Sequence, residues 1–172
     1  MSNYLIPLMV VVPMLCAILV NAFAKFNKSI KVLTFVVAIC LPIIPLLSNY
    51  GLHFFGGYTP MLDNATGVIY HPAITYAFDM LQQIFIAAVG LITFLVAFIY
   101  LSKYKKASGQ YLFLLFMGTA SVTALMLTDD IFNMFVFFEI LALVQVGIVI
   151  ASPMDYSYEM ALKYMILGSI GS

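Results

Sequence analysis

Charge is what this sequence has least of. Asp, Glu and Lys make up 8% of its 172 residues, against about 25% charged residues in soluble domains, which excludes a soluble globular fold. Arginine is absent, and seven lysines balance seven acids to a formal net charge of zero. Such a balance offers nothing to nucleic acid or to an acidic partner. Only two cysteines occur, Cys16 and Cys40, each inside an apolar run, with no C-x-x-C, no His/Cys cluster and no metal-ligand spacing. They read as small hydrophobes, and no metal, cluster or other cofactor is expected. Segments of about 10 residues with alternating polarity are missing too, which excludes a transmembrane β-barrel.

What is present is hydrophobic sequence: 65% of the residues, with a mean hydropathy of +1.12. A helix rising about 1.5 Å per residue needs about 20 residues to cross a hydrocarbon core of about 30 Å. Runs of that order fall at about 4–24, 32–48, 80–101, 111–127, 131–151 and 156–172. The expectation is an all-α, polytopic membrane helix bundle with six transmembrane segments, forming one domain over residues 1–172. The first run ends in Ala22-Phe23-Ala24, a signal-peptidase-like site, but no basic residue precedes it and the run is long for a leader, so it reads as a retained helix. Pro7 and Pro13 lie within it, and Pro42 and Pro45 break the end of the second run. Membrane helices tolerate this when neighbouring groups satisfy the freed carbonyls.

Residues 49–78 form the one long polar-leaning segment, punctuated by Gly51, Gly56, Gly57, Pro60, Gly67 and Pro72 as an irregular or hairpin-containing loop. His53, Asp63, His71 and Asp79 lack a spacing that would converge them on a metal, and Asn64-Ala65-Thr66 is a short glycosylation-like motif of little weight. In the fourth run Gly118, Thr119, Ala120, Ser121, Thr123 and Ala124 cluster as small residues do where membrane helices pack closely. Asp129-Asp130 marks a tight turn into the fifth run, and Ser152-Pro153-Met154-Asp155 closes it. The last run has about 16 residues, short for a crossing. It suggests a fragment, a split subunit or a partner that completes the bundle.

Six of the seven lysines sit in two loops: Lys25, Lys28 and Lys31 after the first helix, Lys103, Lys105 and Lys106 after the third. With six spans both loops face one side, which the positive-inside rule makes cytoplasmic. A multi-pass protein of the cell inner (plasma) membrane follows, with its N-terminus, long loop and Asp129-Asp130 turn outside.

Glu139 is the residue that most needs a reason. It lies about eight residues into the fifth run, near mid-membrane, where an unpaired charge costs several kcal/mol and marks a functional site by default. Burial raises a carboxyl pKa and a nearby lysine lowers it, so a balanced group can load and release a proton. The plainer reading is a protonated carboxyl hydrogen-bonded to a threonine of the fourth helix. Lys163 lies about six residues, or about 9 Å, into the last helix. It could pair with Glu139, or with Glu159 four residues earlier on its own face. Gln145 sits about 120° around the helix from Glu139 and extends no simple polar stripe.

Thr128-Asp129-Asp130-Ile131-Phe132-Asn133 followed by Val136-Phe137-Phe138-Glu139-Ile140 resembles the G-D-L-F-N-x-[YF]-V-F-F-E signature of antiporter-like proton-translocating membrane subunits. Glu159-Met160-Ala161-Leu162-Lys163-Tyr164-Met165-Ile166-Leu167-Gly168-Ser169 is similar to their E-A-x-x-K-Y-x-x-x-G-S segment. The family comprises large membrane subunits of complex I-like NADH dehydrogenases, D-type subunits of multisubunit Na+/H+ antiporters, and membrane-bound energy-converting hydrogenase subunits. The resemblance implies the N-terminal part of a bundle of about 14 helices. Glu139 and Lys163 would stand in the proton path, with Asp130 and Glu159 supporting, other membrane subunits and the lipid bilayer as partners, and protons, with or without Na+, as cargo. Ile131 replaces the motif's leucine. The family's later broken helices and the lysine that partners the glutamate have no counterpart here, which sets this chain apart from a subunit that transports alone. The likeness implies an ion-translocating rather than catalytic piece of a complex. The alternative is a structural subunit or truncated fragment that scaffolds such a complex.

Overall fold

Each apolar run winds into a helix, because a backbone crossing hydrocarbon must satisfy its own N–H and C=O groups. The computed structural model describes residues 5–23, 27–49, 51–63, 67–104, 108–151 and 157–171. Its elements in chain order are α1 (Leu5–Ala22), α2 (Asn27–Leu47), β1 (Leu52–Asp63), β2 (Gly67–Phe78), α3 (Met80–Lys103), α4 (Gly109–Leu127), α5 (Ile131–Ile150) and α6 (Ser157–Gly171). Stretches of α2, α3, α4 and α5 are long and apolar enough to cross a membrane, and α1 is apolar over Ile6–Ala22. α6 has 15 residues. α2 begins before the apolar run does, at Asn27, taking in Lys28 and Lys31. Lysine is a good helix former, so the helix extends past the membrane-compatible stretch.

The segment between α2 and α3 departs from a purely helical fold. It is an antiparallel hairpin, paired from Leu52↔Phe78 at its base to Asp63↔Gly67 at its tip. β-Branched and aromatic residues such as Phe54, Phe55, Tyr58, Thr59, Val68, Ile69 and Tyr70 suit a pleated strand and outweigh the scattered glycines. Gly51, at φ +76°, bends the chain into it, and its N–H closes the base on the Phe78 carbonyl at 2.7 Å. The register sets Asp63 at the tip and His53 near the base, about 33 Å apart along one strand. Among the described residues no group of three His, Cys, Asp or Glu side chains comes together. Residues 64–66 and 152–155 lie outside the described residues.

α4 is the helix on which the others assemble: it packs against α1, α3, α5 and β2. About 44% of its span is buried, against 6% for α5. One core joins Cys16, Ala17 and Val20 of α1 to Val37 and Leu41 of α2 and Leu112 and Phe116 of α4. A second joins Ile6 and Met9 to Phe78, Ile86, Ala124 and Leu127. Of the small residues of α4, Thr119, Ala120, Ser121, Thr123 and Ala124 are buried and Gly118 is half-buried, and the hydroxyls of Thr119, Ser121 and Thr123 return to carbonyls four residues back. Cys16 is buried and Cys40 exposed, both as free thiols.

Two features fix α2 against α3. Gln83 donates from Nε2 to the carbonyls of Pro45 (2.9 Å) and Ser48 (3.1 Å), satisfying the end of α2 from a neighbouring helix. Further along, Gly90 lies so close to the α2 backbone that a Cβ there would come within 2.7 Å of Pro42 N. At the other end of the pair, Lys31 Nζ donates to the Tyr104 carbonyl at 3.1 Å, bringing the lysine-bearing start of α2 to the end of α3. Gly90→Ala is therefore expected to force α2 from α3 and destabilise the protein by about 1–3 kcal/mol. Gly168→Ala, whose Cβ would meet nothing within 4 Å, should leave stability unchanged or raise it by up to about 1 kcal/mol. Thermal unfolding of the two variants in detergent checks the contrast.

Candidate functional site

α5 starts where its sequence supplies a cap. Asp130 stands at the N-cap, its carboxylate accepting from the N–H groups of Phe132 (3.3 Å) and Asn133 (3.2 Å), which satisfies two of the helix's orphan donors. Asn133 Nδ2 donates to the Thr128 hydroxyl (3.1 Å) and across to the Tyr76 hydroxyl (3.2 Å) on β2. The Asp129 N–H adds a bond to the Thr75 carbonyl at 3.1 Å, and Tyr76 and Thr128 form an isolated antiparallel bridge. The acidic turn is thus clamped to the base of the hairpin. That clamp sets the entry point of the helix carrying Glu139.

Glu139 follows about two turns further on and is half-buried. It lines a cleft of about 430 Å³ between α5 and α6, with Phe138, Ala142 and Gln145 on one side and Tyr164, Met165 and Gly168 on the other. Across its mouth the Tyr164 hydroxyl donates to Gln145 Oε1 at 3.1 Å. Among the described residues Glu139 has neither a hydrogen bond nor an ion pair, and the α4 threonines spend their hydroxyls on α4 and α3. The plainer reading, a carboxyl held by an α4 threonine, therefore has no such bond to rest on.

Lys163 goes the other way. Its Nζ lies 2.5 Å from Glu159 Oε1, a pair four residues apart whose side chains are 69% and 59% exposed. It does not line the Glu139 cleft, whereas its neighbour Tyr164 does. Of the expected residues, Glu139 and Asp130 lie along one helix, while Lys163 and Glu159 form a separate pair on α6. Nothing in the sequence marks Gln145 and Tyr164 as a site. Gln145 is off the Glu139 stripe on an ideal helix, and only the crossing of α6 over both positions brings it to the cleft. Tyr164 belongs to the E-A-x-x-K-Y segment, but its spacing does not say which side chain it meets.

Fold and site together define a multi-pass helical membrane protein with a half-buried carboxylate in its fifth helix. No family model matches the chain. It is 36% identical to an uncharacterised protein of Methanocaldococcus jannaschii over 170 residues, 99% of this chain and 34% of that protein. It is 22% identical to the D-type subunit of the Na(+)/H(+) antiporter of Alkalihalophilus pseudofirmus over the same share of each. A chain in the structure of the membrane-bound sulfane sulfur reductase, an archaeal respiratory membrane complex, has the same fold, with a TM-score of 0.74 at 22% identity over 96% of this chain and 34% of that one. The chain is similar along nearly its whole length to these proteins, one of them an antiporter subunit, and it spans about a third of the length of each.

The clamp at the start of α5 gives a local prediction. Asn133→Ala removes two hydrogen bonds, each worth about 0.5–1.5 kcal/mol net, so the hairpin base should open about tenfold more often. Hydrogen exchange at the Asp129 amide, which is bonded to Thr75, should accelerate by that factor, with exchange in the middle of α4 unchanged.

Proposed function

We propose that this chain is an ion-translocating part of a multisubunit membrane complex, with Glu139 as a proton-carrying carboxylate. The observation that carries the reading is the setting of Glu139: a half-buried carboxylate without a partner among the described residues, facing a cleft that also holds Gln145 and Tyr164. The cleft is large enough for water, which can solvate a carboxylate and relay a proton to and from it. Similarity to an antiporter subunit and to a chain of a respiratory membrane complex supports the same reading. Protons, with Na+ in exchange where the complex is an antiporter, are the cargo, and other membrane subunits and lipid are the partners. Complex I-like NADH dehydrogenases and energy-converting hydrogenases are the other complexes that fit. The two lysine clusters support a reading with the N-terminus outside and the protein in the cell inner membrane.

Lys163 enters this scheme from its pair with Glu159. An exposed ion pair of this kind is worth little in water, so a change of charge at Glu139 could draw the lysine away at small cost. Asp130 supports through the start of α5, not through the cleft. The pairing of Lys163 with Glu159 also favours a second reading, a structural subunit in which the lysine is settled on α6 and Glu139 stays neutral.

Glu139→Gln in the intact complex separates the two. The amide keeps the shape and cannot carry a proton, so transport should fall by about a hundredfold or more while the complex still assembles. Transport at the native rate would leave the scaffold reading standing. Glu159→Gln should alter the rate much less than Lys163→Gln, because it frees the lysine without removing its charge; proton flux in reconstituted vesicles measures both.

A further inference from the structure

A second polar feature lies away from Glu139, where α1, α2, α3 and α4 meet. There the helices surround a small void of about 10 Å³, lined by Met9 and Pro13 of α1, Leu41 and Pro45 of α2, and Thr119 and Thr123 of α4 among its neighbours. A void of that size has room for one water molecule. Its lining is not a random sample of the core. In a helix the N–H of each residue bonds to the carbonyl four residues before it; Pro13 and Pro45 have no N–H, so the carbonyls left without that donor belong to Met9 and Leu41. Both prolines and both of these residues line the same void. Pro13 and Pro45 are completely buried, and Met9 and Leu41 are 5% and 8% exposed, so neither carbonyl has ready access to solvent.

The α4 hydroxyls beside the void are already engaged: Thr119 Oγ1 lies 2.9 Å from the Leu115 carbonyl and 2.9 Å from Thr93 Oγ1, and Thr123 Oγ1 donates to the Thr119 carbonyl at 2.8 Å. A hydroxyl has one hydrogen to give, so these do not serve the two carbonyls. A molecule with two hydrogens to give meets the shortage at both.

We propose that this void is a binding site for a single structural water, which donates to the Met9 and Leu41 carbonyls. The water does between helices what the two missing N–H groups would have done within them. It ties α1 to α2 at the level where both prolines interrupt their helices, beside α4, and it lies in the helical core away from the α5–α6 cleft.

The test is water-to-methyl cross-relaxation NMR on the protein in lipid nanodiscs, with the methyl groups of methionine and threonine labelled. A long-lived water should give cross-peaks to Met9, Thr119 and Thr123. Their absence from the native protein means a dry void and overturns the proposal. Pro13→Ala supplies an N–H to the Met9 carbonyl, so the cross-peaks should weaken by about half, and the double variant with Pro45→Ala should lose them, as both acceptors are then satisfied within their helices. Cross-peaks undiminished in the double variant would show that the freed carbonyls do not hold the water, and would overturn the proposal too. Should the variants fail to fold, the measurement on the native protein still decides.

Discussion

Hydrocarbon offers no hydrogen bonds, and the structure is arranged around that fact. Backbone polar groups carried into the bundle have to find their partners inside the protein, and most side-chain ones do so too, the buried Thr34 hydroxyl excepted. The threonines and the serine of α4 turn their hydroxyls back onto the helix, a glutamine of α3 closes the end of α2, and the clamp at Asp130 and Asn133 does the same for the start of α5. Where prolines remove donors, the void at the helix crossing lies against the carbonyls they leave. Against this background Glu139 stands out by contrast: it is the half-buried carboxylate that the described residues leave without a partner.

The bundle is also graded from inside to outside. α4, dense in small residues, occupies the centre, while α5 and α6 lie at its flank with large apolar side chains such as Ile131, Phe132, Leu143 and Leu167 exposed. Close approach requires small residues on one partner: Gly90 against the backbone of α2, and Gly118 against Val144, 3.2 Å from a Cβ built there. The carboxylate thus sits on the outer, loosely covered helix, and its cleft is formed by the last helix of the chain.

The helices are legible in the sequence because their signal is compositional: about 20 apolar residues in a row leave few alternatives. The hairpin is legible only as a possibility. Its glycines and prolines read as punctuation, and only pairing with a partner strand shows that Phe54, Tyr58, Val68 and Tyr70 belong to strands. At the site, Asp130 reads as a turn and proves to be a helix cap, a difference of geometry rather than of chemistry. Lys163 has two carboxylates within reach by spacing, and the structure places it on Glu159 because four residues along a helix bring side chains together without any tertiary contact.

What the sequence determined by itself was everything that depends on local spacing: helices long enough to span, lysines gathered in two clusters, a carboxylate deep in an apolar run, a Glu–Lys pair one turn apart. Tertiary structure alone decided which side chains meet across elements. Gln145 and Tyr164 close over the Glu139 cleft, Asn133 ties the fifth helix to Tyr76, and Met9, Pro13, Leu41 and Pro45 converge on one void. These meetings are set by the angles and depths at which helices cross. No spacing along a single helix encodes them.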